Sequence, residues 1–227
     1  MNTYTFDYKM MSRITDWKRA CKHNLTRNLI NIPESFNDFW LMGGSFSSFY
    51  HSQSIRDHDI FIIKNANNNN LIYDSILARF QANENLKKSS KYSTTTKNPH
   101  IQYVFKDPIS NFQYIFTDYT SREDVLKDFD MLHCCVSYDL RIDAFKISPA
   151  VAEAIKNKHI IANSAKGIAP DRIGKMRYLG WTEVNTKTTL TDISSTVATV
   201  DNDFDWKQIM KETSKEILRE YARKFAQ

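Results

Sequence analysis

Short apolar runs alternate with amphipathic stretches along the chain, and this alternation predicts a protein that contains both strands and helices. The runs rich in β-branched and aromatic residues predict strands at Phe39–Met42, Asp59–Lys64, Ile101–Phe105, Phe112–Phe116, Met131–Tyr138 and Ile142–Ile147. Apolar residues at helical spacing predict helices at residues 14–30, Ser45–His51, Leu71–Leu86, Ser121–Phe129, Pro149–Lys156, Asp171–Trp181 and Trp206–Phe225. We therefore expect an α/β fold in which helices flank a sheet.

Two polar segments interrupt this pattern. The segment Lys87–His100 is basic and rich in serine and threonine, which predicts an exposed loop. The segment Thr182–Asp203 is rich in threonine, serine and aspartate, which predicts a flexible linker. We expect the chain to divide into a head at residues 1–160 and a helical neck and tail at residues 161–227.

The composition of the chain says more about its partners and its cellular compartment than about any reaction that it catalyses. A net charge of +5 favours partners that carry phosphate, although a charge of this size also serves solubility alone. No apolar run approaches the roughly 18 residues that a membrane-spanning helix needs, so we expect no membrane partner. Cys21, Cys134 and Cys135 predict no disulfide framework and therefore a reducing compartment, the cytoplasm, or the host cytoplasm if the chain is viral. Cys134 and Cys135 are expected to be strand residues, at least one of them in the core.

The candidate chemistry begins with two acidic residues, Asp57 and Asp59, just before an apolar strand. Residues i and i+2 of a strand point to the same side, so the two carboxylates are expected to project together. Like charges held side by side repel each other, and a divalent cation relieves that repulsion. Mg²⁺ prefers carboxylate and phosphate oxygens, which makes it the expected cofactor, with Mn²⁺ as the alternative.

A glycine turn precedes the acid pair and suits the phosphates of a nucleoside triphosphate. Gly43 and Gly44 permit close backbone approach, and Ser45 begins a short helix whose free N–H groups favour an anion. Ser48, one helical turn later, adds a hydroxyl. Arg56 is a further candidate for a phosphate contact, or else a plain surface arginine.

Three stretches resemble a known family. The Gly43–Ser45 turn followed by Asp57–Ile60 resembles the signature of the DNA-polymerase-beta-like nucleotidyltransferase superfamily. The stretch Phe129–Asp139 resembles the "RDFT-x-NA-x-x-Y" segment of bacterial poly(A) polymerases and the class II tRNA CCA-adding enzymes related to them. The stretch Asp171–Trp181 is similar to the basic helix that follows the catalytic head in those enzymes.

The resemblance implies an α/β (α+β) head with a mixed, mainly antiparallel sheet, and a short helical C-terminal tail. It implies that Asp130 joins Asp57 and Asp59 as a third metal-binding, catalytic carboxylate. It also implies that Arg172 and Lys175, neighbours on one helix face, hold the triphosphate, with Lys175 preferred over Arg177.

Several alternatives remain open at this stage. Asp118 and Asp143 compete with Asp130 for the third acidic position, while His58 and His133 are expected to be structural, His133 as a satisfied strand residue. The expected reaction moves a nucleoside monophosphate to an RNA or tRNA 3′ end and releases pyrophosphate. The family's E-D-x-x-R base-reading pattern is not intact and its RNA-binding helical body is missing. The acceptor is therefore alternatively a protein or small-molecule hydroxyl, or the chain is a non-catalytic nucleotide-binding or assembly module.

Overall fold

A computed structural model describes residues 6–25, 36, 38–64, 70–88, 98–140, 142–163, 167–184 and 198–200. The predicted helix Trp206–Phe225 lies outside the described residues, as do residues 89–97 of the predicted loop and residues 185–197 of the predicted linker.

Six helices and ten strands make up the described part of the chain. The helices are α1 Tyr8–Leu25, α2 Ser45–Tyr50, α3 Asn70–Ala82, α4 Arg122–Asp128, α5 Pro149–Lys156 and α6 Pro170–Tyr178, with a 3₁₀ turn at Leu132–Cys134. The strands are β1 Phe39–Met42, β2 His58–Ile63, β3 Lys87–Lys88, β4 Ile101–Lys106, β5 Phe112–Thr117, β6 Ser137–Asp139, β7 Ala144–Ile147, β8 His159–Ile160, β9 Thr182–Glu183 and β10 Ala198–Val200.

The main sheet has eight strands in the order β10-β7-β6-β1-β2-β5-β4-β3. Only the β2–β5 pair is parallel, and the other pairs of this sheet are antiparallel. The expected α+β class with a mixed, mainly antiparallel sheet is therefore confirmed. None of the helices in the described ranges is long and apolar enough to cross a membrane.

Both faces of the central strands are covered, which explains their nearly continuous apolar sequences. Alternate residues of β1 and β2 join a large cluster with α1, α2, α3 and α5, in which Trp17 of α1 meets Phe46 of α2 with ring centroids 5.5 Å apart. The residues between them, such as Trp40 and Phe61, join a smaller cluster with Val125 of α4 on the opposite face. Asp59 is two residues before Phe61, so its side chain belongs to the α4 face.

The predicted strand Met131–Tyr138 is wrong over most of its length. Residues 132–134 form a 3₁₀ turn closed by the Cys135 N–H, which donates to the Leu132 carbonyl at 2.9 Å, and the strand covers only Ser137–Asp139. Every residue from 131 to 138 is buried, and an apolar run buried on all sides has no periodicity that separates a strand from a turn. Cys134 and Cys135 are both in the core but not in a strand.

The predicted linker Thr182–Asp203 is wrong at both of its described ends. Thr182–Glu183 pairs in parallel with His159–Ile160, and Ala198–Val200 pairs antiparallel with β7. Backbone pairing with neighbouring strands fixes these two segments, of which Thr182–Glu183 is polar.

Candidate active site

The glycine turn and the acid pair meet because β1 and β2 are antiparallel neighbours. Met42, the last residue of β1, pairs with Asp59 near the start of β2, so the turn that follows β1 lies beside the two acids. Gly43 has a φ of +102°, and a Cβ at this position would lie 3.3 Å from Asp59 Oδ2. A side chain at Gly43 would therefore be strained and would crowd the carboxylate.

A cavity of about 390 Å³ opens at this point of the fold. Asp57 and Asp59 both line it, as two residues one apart on a strand edge are expected to do. Gly44, Ser45, Ser48, Arg56, Arg172 and Lys175 also line it. The structure thus gathers eight sequence-predicted site residues around one space, while Gly43 touches Asp59 from outside the lining.

Asp59 carries the strongest electrostatic perturbation among these groups. Burial and then the charge of Asp57 raise the pKa of Asp59 to about 7, although Lys106 and Arg172 act in the opposite direction. A bound cation would stabilise the ionised form of this carboxyl group, because its charge offsets both causes of the pKa shift.

Gln113 of β5 is a functional candidate that the sequence analysis missed. Its Nε2 donates a hydrogen bond to Asp57 Oδ2, and it lies in register with Asp59 on the neighbouring parallel strand. Gln113 is 3% exposed, so its amide is fixed in the core at the edge of the acid pair. A polar residue in the apolar strand Phe112–Phe116 was the one available signal.

The basic groups come from α6 and from the segment before β2. Arg172 and Lys175, one turn apart on α6, both line the cavity with Arg56. Arg177 points elsewhere and pairs with Glu183, with Arg177 Nη2 2.6 Å from Glu183 Oε2. This arrangement agrees with the expectation that Lys175 is better placed than Arg177.

Two serine hydroxyl groups at the start of α2 differ in their hydrogen bonding. Ser47 Oγ donates to the Gly44 carbonyl at 2.9 Å. Ser45 is 6% exposed, lines the cavity, and its Oγ has no hydrogen-bond partner among the described residues. A buried hydroxyl without a partner is costly, and a ligand oxygen in the cavity would relieve that cost.

The structure does not bring a third carboxylate into the cavity. Asp130 is half-buried outside the lining, and Arg172 Nη1 lies 2.7 Å from its Oδ2. Asp118 contacts His100 at 2.8 Å, and Asp143 contacts Lys18 at 3.0 Å, both away from the cavity lining. Among the described residues, no group of three or more His, Cys, Asp or Glu side chains is placed to hold a metal ion.

The two histidines near the motifs differ from each other. His58 stacks on Phe112 with ring centroids 4.8 Å apart, on the face opposite the acids, as expected for a structural residue. The expectation for His133 is wrong, because His133 lies in the 3₁₀ turn and lines the cavity, and its Nδ1 has no hydrogen-bond partner among the described residues. Its ring packs against Trp181 with centroids 4.3 Å apart, and burial lowers the pKa of His133 to about 3.

The fold thus combines a mixed sheet with a glycine turn and an acid pair that meet around one cavity at the start of a central strand. The chain itself belongs to the Gabija anti-defense 2 family, whose sequence profile matches residues 16–158. A comparison with curated proteins finds no match.

Solved structures of similar fold include two CCA-adding enzymes. The enzyme of Bacillus stearothermophilus in complex with CTP is 17% identical, with a TM-score of 0.41, over 76% of this chain and 41% of that one. The enzyme of Thermotoga maritima complexed with tRNA is 12% identical, with a TM-score of 0.46, over 82% of this chain and 44% of that one. The chain spans less than half the length of these proteins, and at these TM-scores the likeness carries no information about activity.

Proposed function

We propose that this protein is a metal-dependent nucleotidyltransferase. It transfers a nucleoside monophosphate from a nucleoside triphosphate to a hydroxyl group and releases pyrophosphate. The observation that carries the proposal is the meeting of Asp57 and Asp59 with Arg172, Lys175 and an unpartnered Ser45 hydroxyl around one cavity. Negative and positive groups that face one space suit a ligand that carries phosphate and a divalent cation together.

The acid pair fits Mg²⁺, with Mn²⁺ as the alternative. Asp57 and Asp59 offer hard oxygen ligands, and the raised pKa of Asp59 reflects burial of its charge beside Asp57, which Lys106 and Arg172 offset only in part. When bound, the ion would neutralise charge that develops on the transferred phosphate. Gln113 orients Asp57 by donating to its Oδ2 and leaves the other carboxylate oxygen for a ligand.

The chain's own cations and hydroxyls hold the triphosphate in this proposal. Lys175 and Arg56 face the cavity as point charges for the terminal phosphates, and Ser45 Oγ supplies a hydrogen-bond donor. Binding in a fixed orientation places the reacting phosphate beside the acids and lowers the entropic cost of the reaction.

Asp130 takes a positioning role in place of the predicted third carboxylate. Its carboxylate holds Arg172 at 2.7 Å and thereby fixes the guanidinium at the cavity. Burial raises the pKa of Asp130, whereas the charge of Arg172 acts to lower it, so the two groups stabilise each other's charged form. An Arg172 released from Asp130 would lose this pre-organisation.

A basic row across the sheet favours an RNA 3′ end as the acceptor. Lys87 of β3 pairs with Lys106 of β4, Lys106 with Gln113 of β5, and Gln113 with Asp59 of β2. Residues directly opposite in a sheet share a face, so the two exposed lysines and the acids lie on the same side. A phosphate backbone that follows this row would bring a terminal hydroxyl toward Asp59.

Membership of the Gabija anti-defense 2 family supports a second candidate acceptor. Under this candidate the nucleotide is transferred to a hydroxyl of a protein that belongs to the Gabija system, and the modification is the means of anti-defence. The two candidates share the same phosphate chemistry and differ only in the acceptor.

The test is to incubate the protein with each α-labelled nucleoside triphosphate, Mg²⁺, and either total RNA or the Gabija proteins. We expect label on RNA, and no label with Asp57→Asn. Lys87→Glu should reduce labelling of RNA, while Lys88→Glu is a matched control, because Lys88 lies one residue on, opposite Phe105, and so faces the other side of the sheet.

Each other outcome has a definite meaning. Label on polypeptide alone would replace the first acceptor by the second. Absence of label on both, together with unchanged anti-defence in Asp57→Asn, would overturn the proposed activity in favour of a non-catalytic module.

A further inference from the structure

The cavity lining divides into two chemically different parts. One part is charged and contains the acids and the basic groups described above. The other part, here called the apolar wall, consists of Met131, His133, Cys134, Met176, Leu179 and Trp181. Most of these residues belong to one compact cluster with Ile160 beneath them. An occupant of the whole cavity is therefore charged at one side and apolar at the other.

Two ring nitrogens in the apolar wall have no partner. His133 is 2% exposed and Trp181 is 3% exposed, and neither His133 Nδ1 nor Trp181 Nε1 makes a hydrogen bond to a described residue. The Trp181 ring packs beside two histidine rings, since its centroid lies 4.3 Å from that of His133 and 5.6 Å from that of His51. The wall therefore brings two ring nitrogens without partners among the described residues together with the apolar side chains of Met176 and Leu179.

We propose that the apolar wall is a subsite for the base of the nucleoside triphosphate, with the ring nitrogens of His133 and Trp181 reading the polar edge of that base. This inference rests on the proposed function, which places the phosphates of the same ligand at the charged part of the cavity. A nucleobase combines a flat apolar face with a rim of hydrogen-bond donors and acceptors. The face would contact the apolar side chains of the wall, and the rim would supply partners for the two ring nitrogens.

The donor inventory agrees with this assignment. The indole N–H of Trp181 is only a donor, and the neutral imidazole of His133 supplies one donor and one acceptor. A base edge with adjacent acceptor and donor groups satisfies both rings, whereas inorganic triphosphate offers acceptors only.

The test compares the binding of inorganic triphosphate with that of ATP, GTP, CTP and UTP, each with Mg²⁺, by titration calorimetry. The variants are Trp181→Phe and Trp40→Phe. Trp40 is a matched control, because its Nε1 is also buried without a partner in the described part of the chain, while its side chain packs in the cluster on the α4 face and does not line the cavity.

In the wild type we expect at least one nucleoside triphosphate to bind more tightly than inorganic triphosphate. Trp181→Phe should weaken that nucleoside triphosphate about 3- to 10-fold, the usual effect of one lost hydrogen bond, and leave inorganic triphosphate unchanged. Trp40→Phe should leave both affinities unchanged. His133→Phe should change the order of preference among the four bases.

Failure of this inference is distinguishable from failure of the proposed function. If inorganic triphosphate binds the wild type better than Asp57→Asn, but no base adds affinity, the base subsite is overturned and the phosphate site stands. An equal loss for both ligands in Trp181→Phe would likewise reduce Trp181 to a structural role. If the wild type and Asp57→Asn bind every triphosphate with the same affinity, the proposed function fails and the base subsite fails with it.

Discussion

Replacing Asp59 with asparagine should stabilise the metal-free protein while it abolishes activity. The side chain keeps its size and loses its charge. Burial and the neighbouring Asp57 raise the pKa of Asp59 from 3.8 to about 7. At about 1.4 kcal/mol per pKa unit, ionised Asp59 costs the folded state up to roughly 4 kcal/mol. The Asp59 side chain is half-buried, and solvent screening reduces the cost to roughly half of this value.

The sign of the pH dependence follows from the same shift. Above pH 7 the carboxylate is charged in both the folded and the unfolded protein, and the full penalty applies. As the pH falls through about 7, the folded protein takes up a proton that the unfolded chain binds only near pH 3.8, so the penalty that Asp59 contributes is relieved on mild acidification. Asp59→Asn lacks this titration, and its advantage over the wild type should be largest at pH 8 and smaller at pH 5.

Thermal unfolding in a chelating buffer measures the effect. A gain of roughly 2 kcal/mol corresponds to a rise in Tm of roughly 4–8 °C for a protein of this size. Asp118→Asn is the control, since Asp118 is an exposed aspartate paired with His100 outside the cavity lining. Mg²⁺ with a triphosphate should then raise the Tm of the wild type and leave Asp59→Asn unchanged. An Asp59→Asn variant that is less stable than the wild type at pH 8 would refute the conclusion that the ionised Asp59 carboxylate destabilises the metal-free fold.

Three further predictions follow from the same geometry. Gln113→Leu removes the donor to Asp57 and should lower the rate of nucleotide transfer about 10-fold or more, since a hydrogen bond to a charged group is worth about 1.5–3 kcal/mol; an unchanged rate with normal Tm would contradict the positioning role. Lys87→Glu should weaken RNA binding and flatten its salt dependence without changing the affinity for triphosphate, measured by filter binding across a salt series, and an unchanged salt slope would count against the basic row. For His133, burial lowers the folded pKa to about 3, so the unfolded chain alone takes up a proton as the pH falls below about 6.5, and stability is lost over that window. His133→Phe should therefore reduce the fall in Tm between pH 7 and pH 5 by a few degrees, about 2 kcal/mol at most, and an identical fall in both proteins would show that His133 is not held neutral.

The acid pair and the glycine turn could be predicted from the sequence because each depends on a local rule. Alternation along a strand puts Asp57 and Asp59 on one face, and the apolar run after them marks which strand is central. The need for glycine at position 43 follows from the same order of elements, since the turn after β1 passes close to the Asp59 carboxylate. Local sequence patterns were therefore sufficient to predict the acid pair and the glycine turn, which lie on the two neighbouring strands β1 and β2.

The rest of the site depends on contacts between distant segments, which no local pattern contains. Gln113 was hidden because the register of β5 against β2 decides that its amide reaches Asp57. Asp130 looked like a metal ligand by motif, but the fold of α6 brings Arg172 against it. His133 was assigned to a strand because its apolar neighbours are buried on all sides, and only the packing of Trp181 reveals its place in the cavity.

The position of α6 also bears on whether the chain divides into two functional units at residue 160. The predicted boundary at residue 160 separates Asp57 and Asp59 from Arg172 and Lys175, yet all four line the same cavity. Trp181 anchors α6 to the head through His51 and His133, and the parallel pairing of β8 with β9 fixes the chain on either side of the helix. Because Asp57, Asp59 and Arg56 lie before residue 160 while Arg172 and Lys175 lie after it, we expect neither side alone to bind the proposed metal-triphosphate complex as tightly as the whole. The functional unit that we propose therefore extends from the glycine turn through Trp181, and the neck helix belongs to it as fully as the sheet does.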